Sequence, residues 1–115
     1  MVAFAQGARD ANAVHWMGMG EDQELEDVLA TEAKTVKIIK PHWDDAVIYH
    51  KIEHANEHGA MAVGMDIDHC FYGNGGYDVV CGLPMHAKTL EQLRQYVSTS
   101  AVPFIVKGVL ILFPD

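Results

Sequence analysis

Cysteine is scarce: the sequence holds two, Cys70 and Cys81, and they form no C-x-x-C pair. Free thiols in a reducing cytoplasm are the expectation, because no neighbouring residue in the sequence would lower either thiol pKa. Basic residues are few, eight against sixteen acids, giving a formal net charge of −8. No stretch clusters Lys and Arg with aromatics, so nucleic acid is not an expected partner. Long apolar runs are also missing. The longest, Val102 to Phe113, is broken by Pro103, Lys107 and Gly108 and is too short to cross a bilayer as a helix. No charged segment followed by an apolar one opens the chain, so a cytoplasmic protein without membrane contact is expected. Gly73-Asn74-Gly75-Gly76 contains neither G-x-G-x-x-G nor G-K-[ST] and reads as a loop, without a nucleotide fingerprint.

What is present suits one globular domain over residues 1–115: 50% of the residues are hydrophobic and 21% charged. Ala13 to Met17 reads as a strand that ends at Gly18-Met19-Gly20, and Leu25, Val28 and Leu29 then mark a helix among acids. Val36 to Ile39 is β-branched and stops at Pro41, after which Asp44 or Asp45 offers an N-cap. Val47, Ile48, Ile52 and Ala55 form the stripe of a second helix that Gly59 ends. Ala60 to Ile67 runs apolar without alternation, the pattern of a parallel strand buried on both faces. His69 to Ala87 is dense in Gly and Pro and is expected to be a long irregular loop. Thr89 to Gln92 fits a capping box, Leu90, Leu93 and Val97 continue a helical stripe, and Phe104 to Val106 forms the next strand. Strands alternating with helices imply a parallel α/β sheet, doubly wound or part of a (β/α)₈ barrel. Sites then form at the strand C-termini, here Met17-Gly18, Ile39-Lys40, Asp66-Ile67-Asp68 and Lys107-Gly108.

Three groups of residues could carry chemistry. His50, His54 and His58 recur every four residues, a spacing that could bind a transition metal. Measured from Ile48 and Ile52 they fall on the solvated side of the helix, so no metal is expected. Asp66 and Asp68 end an otherwise buried strand, where acids are costly unless partnered and could orient a base, bind a cation or contact a cofactor. Lys107 interrupts an apolar strand and must reach an anion, a carboxylate or water.

Val102-Pro103-Phe104-Ile105-Val106-Lys107-Gly108-Val109 resembles a strand of the FMN-dependent α-hydroxy-acid dehydrogenases, the family of glycolate and lactate oxidases, and Ala60 to Asp68 resembles its strand ending in T-V-D. The resemblance runs over nearly the whole chain. It implies a partial TIM barrel of about four parallel strands with crossover helices, FMN as cofactor and a small α-hydroxy acid as substrate. It places Lys107 against the flavin, Asp68 at the aspartate that orients the catalytic histidine, and Asp66 where the family has a flavin-contacting threonine. Gly18, Ile38 and Lys40 fall at positions where the family uses serine, glutamine and tyrosine around the flavin.

The family's catalytic histidine, its partner arginine and its phosphate-binding loops come on later strands. The resemblance therefore implies a truncated chain that is inactive alone and self-associates or pairs with the missing barrel half. Two rival readings are a non-enzymatic half-barrel that pairs with itself or a partner, and a different flavin-binding barrel such as a type 2 isopentenyl diphosphate isomerase. The absence of an arginine cluster argues against the second.

Overall fold

The structure is a computed structural model and describes residues 1–68 and 76–109. Four parallel strands stand in chain order with helices between them, forming part of an α/β barrel. Helix α1 (Val2–Asp10) precedes β1 (His15–Met17), and α2 (Asp22–Leu29) leads to β2 (Thr35–Ile39). Helix α3 (Asp45–Glu57) leads to β3 (Ala62–Asp66). A short hairpin of β4 (Val79–Val80) and β5 (Leu83–Pro84) comes next, then α4 (Leu90–Thr99) and β6 (Phe104–Lys107). The main sheet has the order β1-β2-β3-β6, and all three ladders are parallel.

Local chemistry explains the helix boundaries. Asp44 accepts a hydrogen bond from the Ala46 N–H at 2.9 Å and caps α3. Gly59 takes the positive φ of +90° that ends it. Thr89 and Gln92 close the expected capping box on α4, and Glu21 with Glu24 forms another on α2.

Side chains alternate across the sheet, and its two faces differ. Met17, Ile39, Val63 and Met65 join Leu25, Val28, Ile48, Ile52, Ala55 and Tyr96 in the main core beneath the helices. On the opposite face Val36, Ile38 and Ala62 form a smaller cluster with Ile105. In a closed barrel this second face is the interior. β2 and β3 are buried at every position, in keeping with the β-branched residues of the first and the apolar run that precedes Asp66 in the second, and Lys37 is the one charge enclosed within β2.

Three sequence expectations need correction. The stretch expected to be an irregular loop contains the β4–β5 hairpin, docked on the body through a bridge between His42 and Met85, which is fully buried. On α4 the apolar stripe misleads: Leu90 and Val97 are 64% and 50% exposed, whereas Tyr96 is the core residue. A tyrosine serves there because its hydroxyl finds Asp45 while its ring packs against Tyr49 and Phe104. His54 is not solvated, since its side chain is 12% exposed and faces Asp22 and Glu26 of α2. Helix α3 is covered by a neighbouring helix as well as by the sheet, a contact that a single-helix stripe does not reveal. Cys70, Gly73, Asn74, Gly75 and the expected apolar tail from Leu110 onward lie outside the described residues.

Candidate functional site

Strand register stacks the inward-facing residues in layers. Trp16, Val36 and Ala62 form the lowest, and Ile38, Gly64 and Ile105 stand above them as mutual register partners. Gly64 has no alternative in this layer: a Cβ there would lie 2.7 Å from the Ile105 carbonyl oxygen and 3.0 Å from Ile38 Cδ1. The next layer, at the strand C-termini, is charged.

Asp66 and Lys107 are register partners on β3 and β6, and the Lys107 Nζ donates to Asp66 Oδ1 at 2.6 Å. Lys40, just past β2, donates to Asp66 Oδ2 at 2.7 Å. Burial alone pushes the Asp66 carboxyl up, but hydrogen bonds from Lys107 and Lys40 and their positive charges outweigh it and hold the pKa below the ordinary value. The Asp66 hydrogen bond in turn raises the Lys107 pKa, as do the charges of Asp66 and Asp68. Two ammonium groups against one carboxylate leave the trio with one net positive charge. The Lys107 side chain is 54% exposed, so its remaining donors are open to a ligand.

The other candidates sit around this trio. Asp68 lies beyond the end of β3, in a turn, and its carboxylate stands over Gly108, where a Cβ would overlap it. Gly108 has φ +77°, a conformation glycine adopts without penalty. Gly18, Ile38 and Lys40 line a cavity of about 350 Å³ at the ends of β1 and β2. Structure thus joins Asp66, Lys40 and Lys107 directly, groups Gly18, Ile38 and Lys40 around one cavity, and sets Asp68 to one side at Gly108.

Two cavity residues escape a sequence reading. Lys37 points to the helix side of β2, is 4% exposed, and donates from Nζ to the Gly18 carbonyl at 2.8 Å. Burial, helped by the charge of Lys51, lowers its pKa to about 8. His42 also lines the cavity, and its Nδ1 is buried without a hydrogen-bond partner. Burial and the nearby Lys51 and Lys88 charges lower its pKa to about 4, so it is neutral at pH 7. A lysine inside the β-branched run Thr35–Ile39 is the one sequence signal that could have pointed to Lys37.

The residues suit an electron-rich ligand at the strand ends, since cationic donors gather there over an apolar floor. They also differ from a simple lysine site, because Asp66 competes for the Lys107 ammonium.

The sequence matches the family described as FMN-dependent dehydrogenase over residues 1–101. Solved structures of mandelate oxidase share the fold. The enzyme with 3,3-difluoro-2-hydroxy-3-phenylpropionic acid is 18% identical with a TM-score of 0.78, over 96% of this chain and 36% of that one. A variant with (S)-mandelic acid is 18% identical with a TM-score of 0.79, over the same shares of both chains. A third structure, mandelate oxidase alone, is 17% identical with a TM-score of 0.78, over 96% of this chain and 38% of that one. The chain thus spans little more than a third of these neighbours. Comparison with curated proteins finds no match. Among the described residues no helix is long and apolar enough to cross a membrane.

Proposed function

The chain belongs to the FMN-dependent dehydrogenase family, whose cofactor is FMN, and from that premise we propose that it supplies one flank of the flavin site of an α-hydroxy-acid oxidoreductase. The observation that carries this reading is the Lys40–Asp66–Lys107 trio at the C-terminal ends of adjacent parallel strands, where barrel enzymes hold their sites. FMN, when bound, supplies the two-electron acceptor for oxidation of the hydroxy acid to a 2-oxo acid.

The chain's own residues then have distinct tasks. Lys107 presents a fixed positive charge to an anionic ring edge, and Asp66 holds that ammonium in place. Lys40 offsets the carboxylate, so the trio stays net positive. Gly18 and Ile38, which line the neighbouring cavity, would give the flavin a close, apolar approach. Asp68, above Gly108, stands ready to orient a catalytic histidine supplied from elsewhere in the enzyme. His42 does not fill that role, because a group with a pKa of about 4 is a weak base at neutral pH. In this reading the family's catalytic histidine comes on a strand after that of Lys107, so the 115-residue chain by itself is expected to turn over no α-hydroxy acid. A lactate- or glycolate-like acid is the substrate class proposed for the complete site, and the cytoplasm is the proposed location.

The test is a titration of the purified chain with FMN, read by quenching of flavin fluorescence. Binding by the 115-residue chain is expected to be weak or absent, because the family's phosphate-binding loops come on later strands, and any saturable quenching should weaken about tenfold or more in Lys107→Ala, the scale of a lost charge-assisted bond. Saturable binding that is indifferent to both Lys107→Ala and Asp66→Asn overturns the assignment.

A second reading is favoured by the end strands of the sheet. Trp16 on β1 is 50% exposed, and among the described residues the outer edges of β1 and β6 are unpaired in the main sheet. Edges of this kind suit pairing with another barrel segment or a second copy. Elution as a stable dimer without any flavin affinity would favour this non-enzymatic role.

A further inference from the structure

Helices α2 and α3 face each other with complementary side chains at matching heights. His50, His54 and His58 rise along α3, and Asp22 and Glu26, one turn apart, rise along α2. The pairs meet in order: His50 Nε2 is 2.6 Å from Asp22 Oδ2, and His58 Nε2 is 2.8 Å from Glu26 Oε1. His54 lies between them, with Nδ1 3.9 Å from Asp22 Oδ1 and Nε2 3.9 Å from Glu26 Oε1. One nitrogen of His54, one of His58 and one oxygen of Glu26 all lie within 4.8 Å of one another. We propose that Glu26, His54 and His58 form a transition-metal site of the zinc class that clamps α2 to α3.

The donor geometry is close to what such an ion needs. Bonds of about 2.0–2.1 Å in a tetrahedron set ligand atoms roughly 3.3 Å apart. The two observed separations from Glu26 Oε1, 2.8 and 3.9 Å, lie on either side of that value, and with all three atoms within 4.8 Å of one another side-chain rotation can close them round one ion. The His58 ring is held for it. Its Nδ1 donates to the His54 carbonyl at 2.8 Å, which turns Nε2 toward Glu26, where an ion would replace the proton that lies between Nε2 and the carboxylate. Asp22 stands on the Nδ1 side of His54, leaving Nε2 to face Glu26. Outer partners of this kind fix the orientation of ligating histidines.

The mixed imidazole and carboxylate set selects zinc or a neighbouring transition ion over Mg²⁺ or Ca²⁺, which prefer all-oxygen shells. His54 is 12% exposed, whereas His58 and Glu26 are 35% and 36% exposed, so water can reach the fourth position from the His58 side. The site lies on the helix layer, away from the strand-end trio. It joins two successive β/α units and depends neither on FMN nor on the proposed oxidoreductase activity.

Isothermal titration of the metal-free 115-residue chain with Zn²⁺, in the presence of excess Mg²⁺, tests the assignment. One Zn²⁺ per chain is expected, with the melting midpoint raised by roughly a few degrees at saturation. Affinity should fall about a hundredfold or more in His54→Ala, and by at least tenfold in the more exposed His58→Gln and Glu26→Gln, which circular dichroism should show to be folded. Cys81→Ser should leave it unchanged, since that thiol is exposed and far along the chain. Absence of one-to-one binding, or binding that His58→Gln and Glu26→Gln leave intact, overturns the proposal, as does binding abolished by Cys81→Ser.

Discussion

Asp66 accepts from Lys107 directly across the β3–β6 ladder, so a carboxylate and an ammonium are held as register partners at the mouth of the sheet. Their pairing has a pH signature. Asp66 has a depressed pKa in the folded chain, so its contribution is complete above the unfolded value of about 3.9 and is lost as pH falls through the folded value. Asp66→Asn should therefore lower the melting temperature at pH 7, and the difference from the parent chain should shrink as the pH is lowered below about 4. Thermal melts of both chains from pH 7 down to pH 3 measure it. A difference that is constant with pH would mean that Asp66 contributes no ion pairing.

Lys37 carries the opposite sign. Its folded pKa of about 8 lies below the ordinary 10.5, so the unfolded chain binds its proton more tightly between those values. Stability from this group rises as pH increases from about 8 to 10.5, and at pH 7 the buried charge is a cost. Lys37→Met should hold or raise stability at pH 7, by at most about 3 kcal/mol, because the Gly18 carbonyl loses its donor at the same time. Urea unfolding of both chains at pH 7 and pH 10 should show the advantage of Lys37→Met narrowing at the higher pH.

Tyr96 ties α4 to the start of α3. Its hydroxyl donates to Asp45 Oδ1 at 2.5 Å, and burial together with that carboxylate raises its pKa far above the ordinary tyrosine value. Lys88 donates to the same oxygen at 3.1 Å. Tyr96→Phe keeps the ring in the core but removes one charge-assisted bond, so a loss of about 1.5–3 kcal/mol is expected in chemical denaturation. An unchanged midpoint would show that Lys88 and Gln92 satisfy Asp45 alone.

Gly64 separates the inward-facing Ile38 from the β6 backbone. Gly64→Ala should cost roughly 1–3 kcal/mol, because the added methyl meets a main-chain oxygen that cannot move without disturbing the ladder. A melting temperature equal to that of the parent chain would contradict so close a contact.

Much of the fold was legible because β2 and β3 are buried on both faces and are rich in β-branched or small apolar residues, and because caps such as Asp44 and Thr89 are local devices. Asp66 and Lys107 were legible for a related reason: a charge at the end of a buried strand has to be answered. What answers it was not legible, since Lys40 and Lys107 reach Asp66 from different strands. The role of Tyr96 was hidden in the same way, its partner Asp45 lying on another helix. The histidine row on α3 was judged by its own helix, and the neighbouring α2 decided its burial.

Because β1, β2, β3 and β6 adjoin in the order in which they are made, each newly synthesised strand has its template already in place. The chain can grow on a ribosome by adding one rung of sheet at a time, without waiting for a distant segment to return. Strand β6 then brings Lys107 to a carboxylate that has been set since β3, so this charged pair closes only once the segment after α4 has joined the sheet.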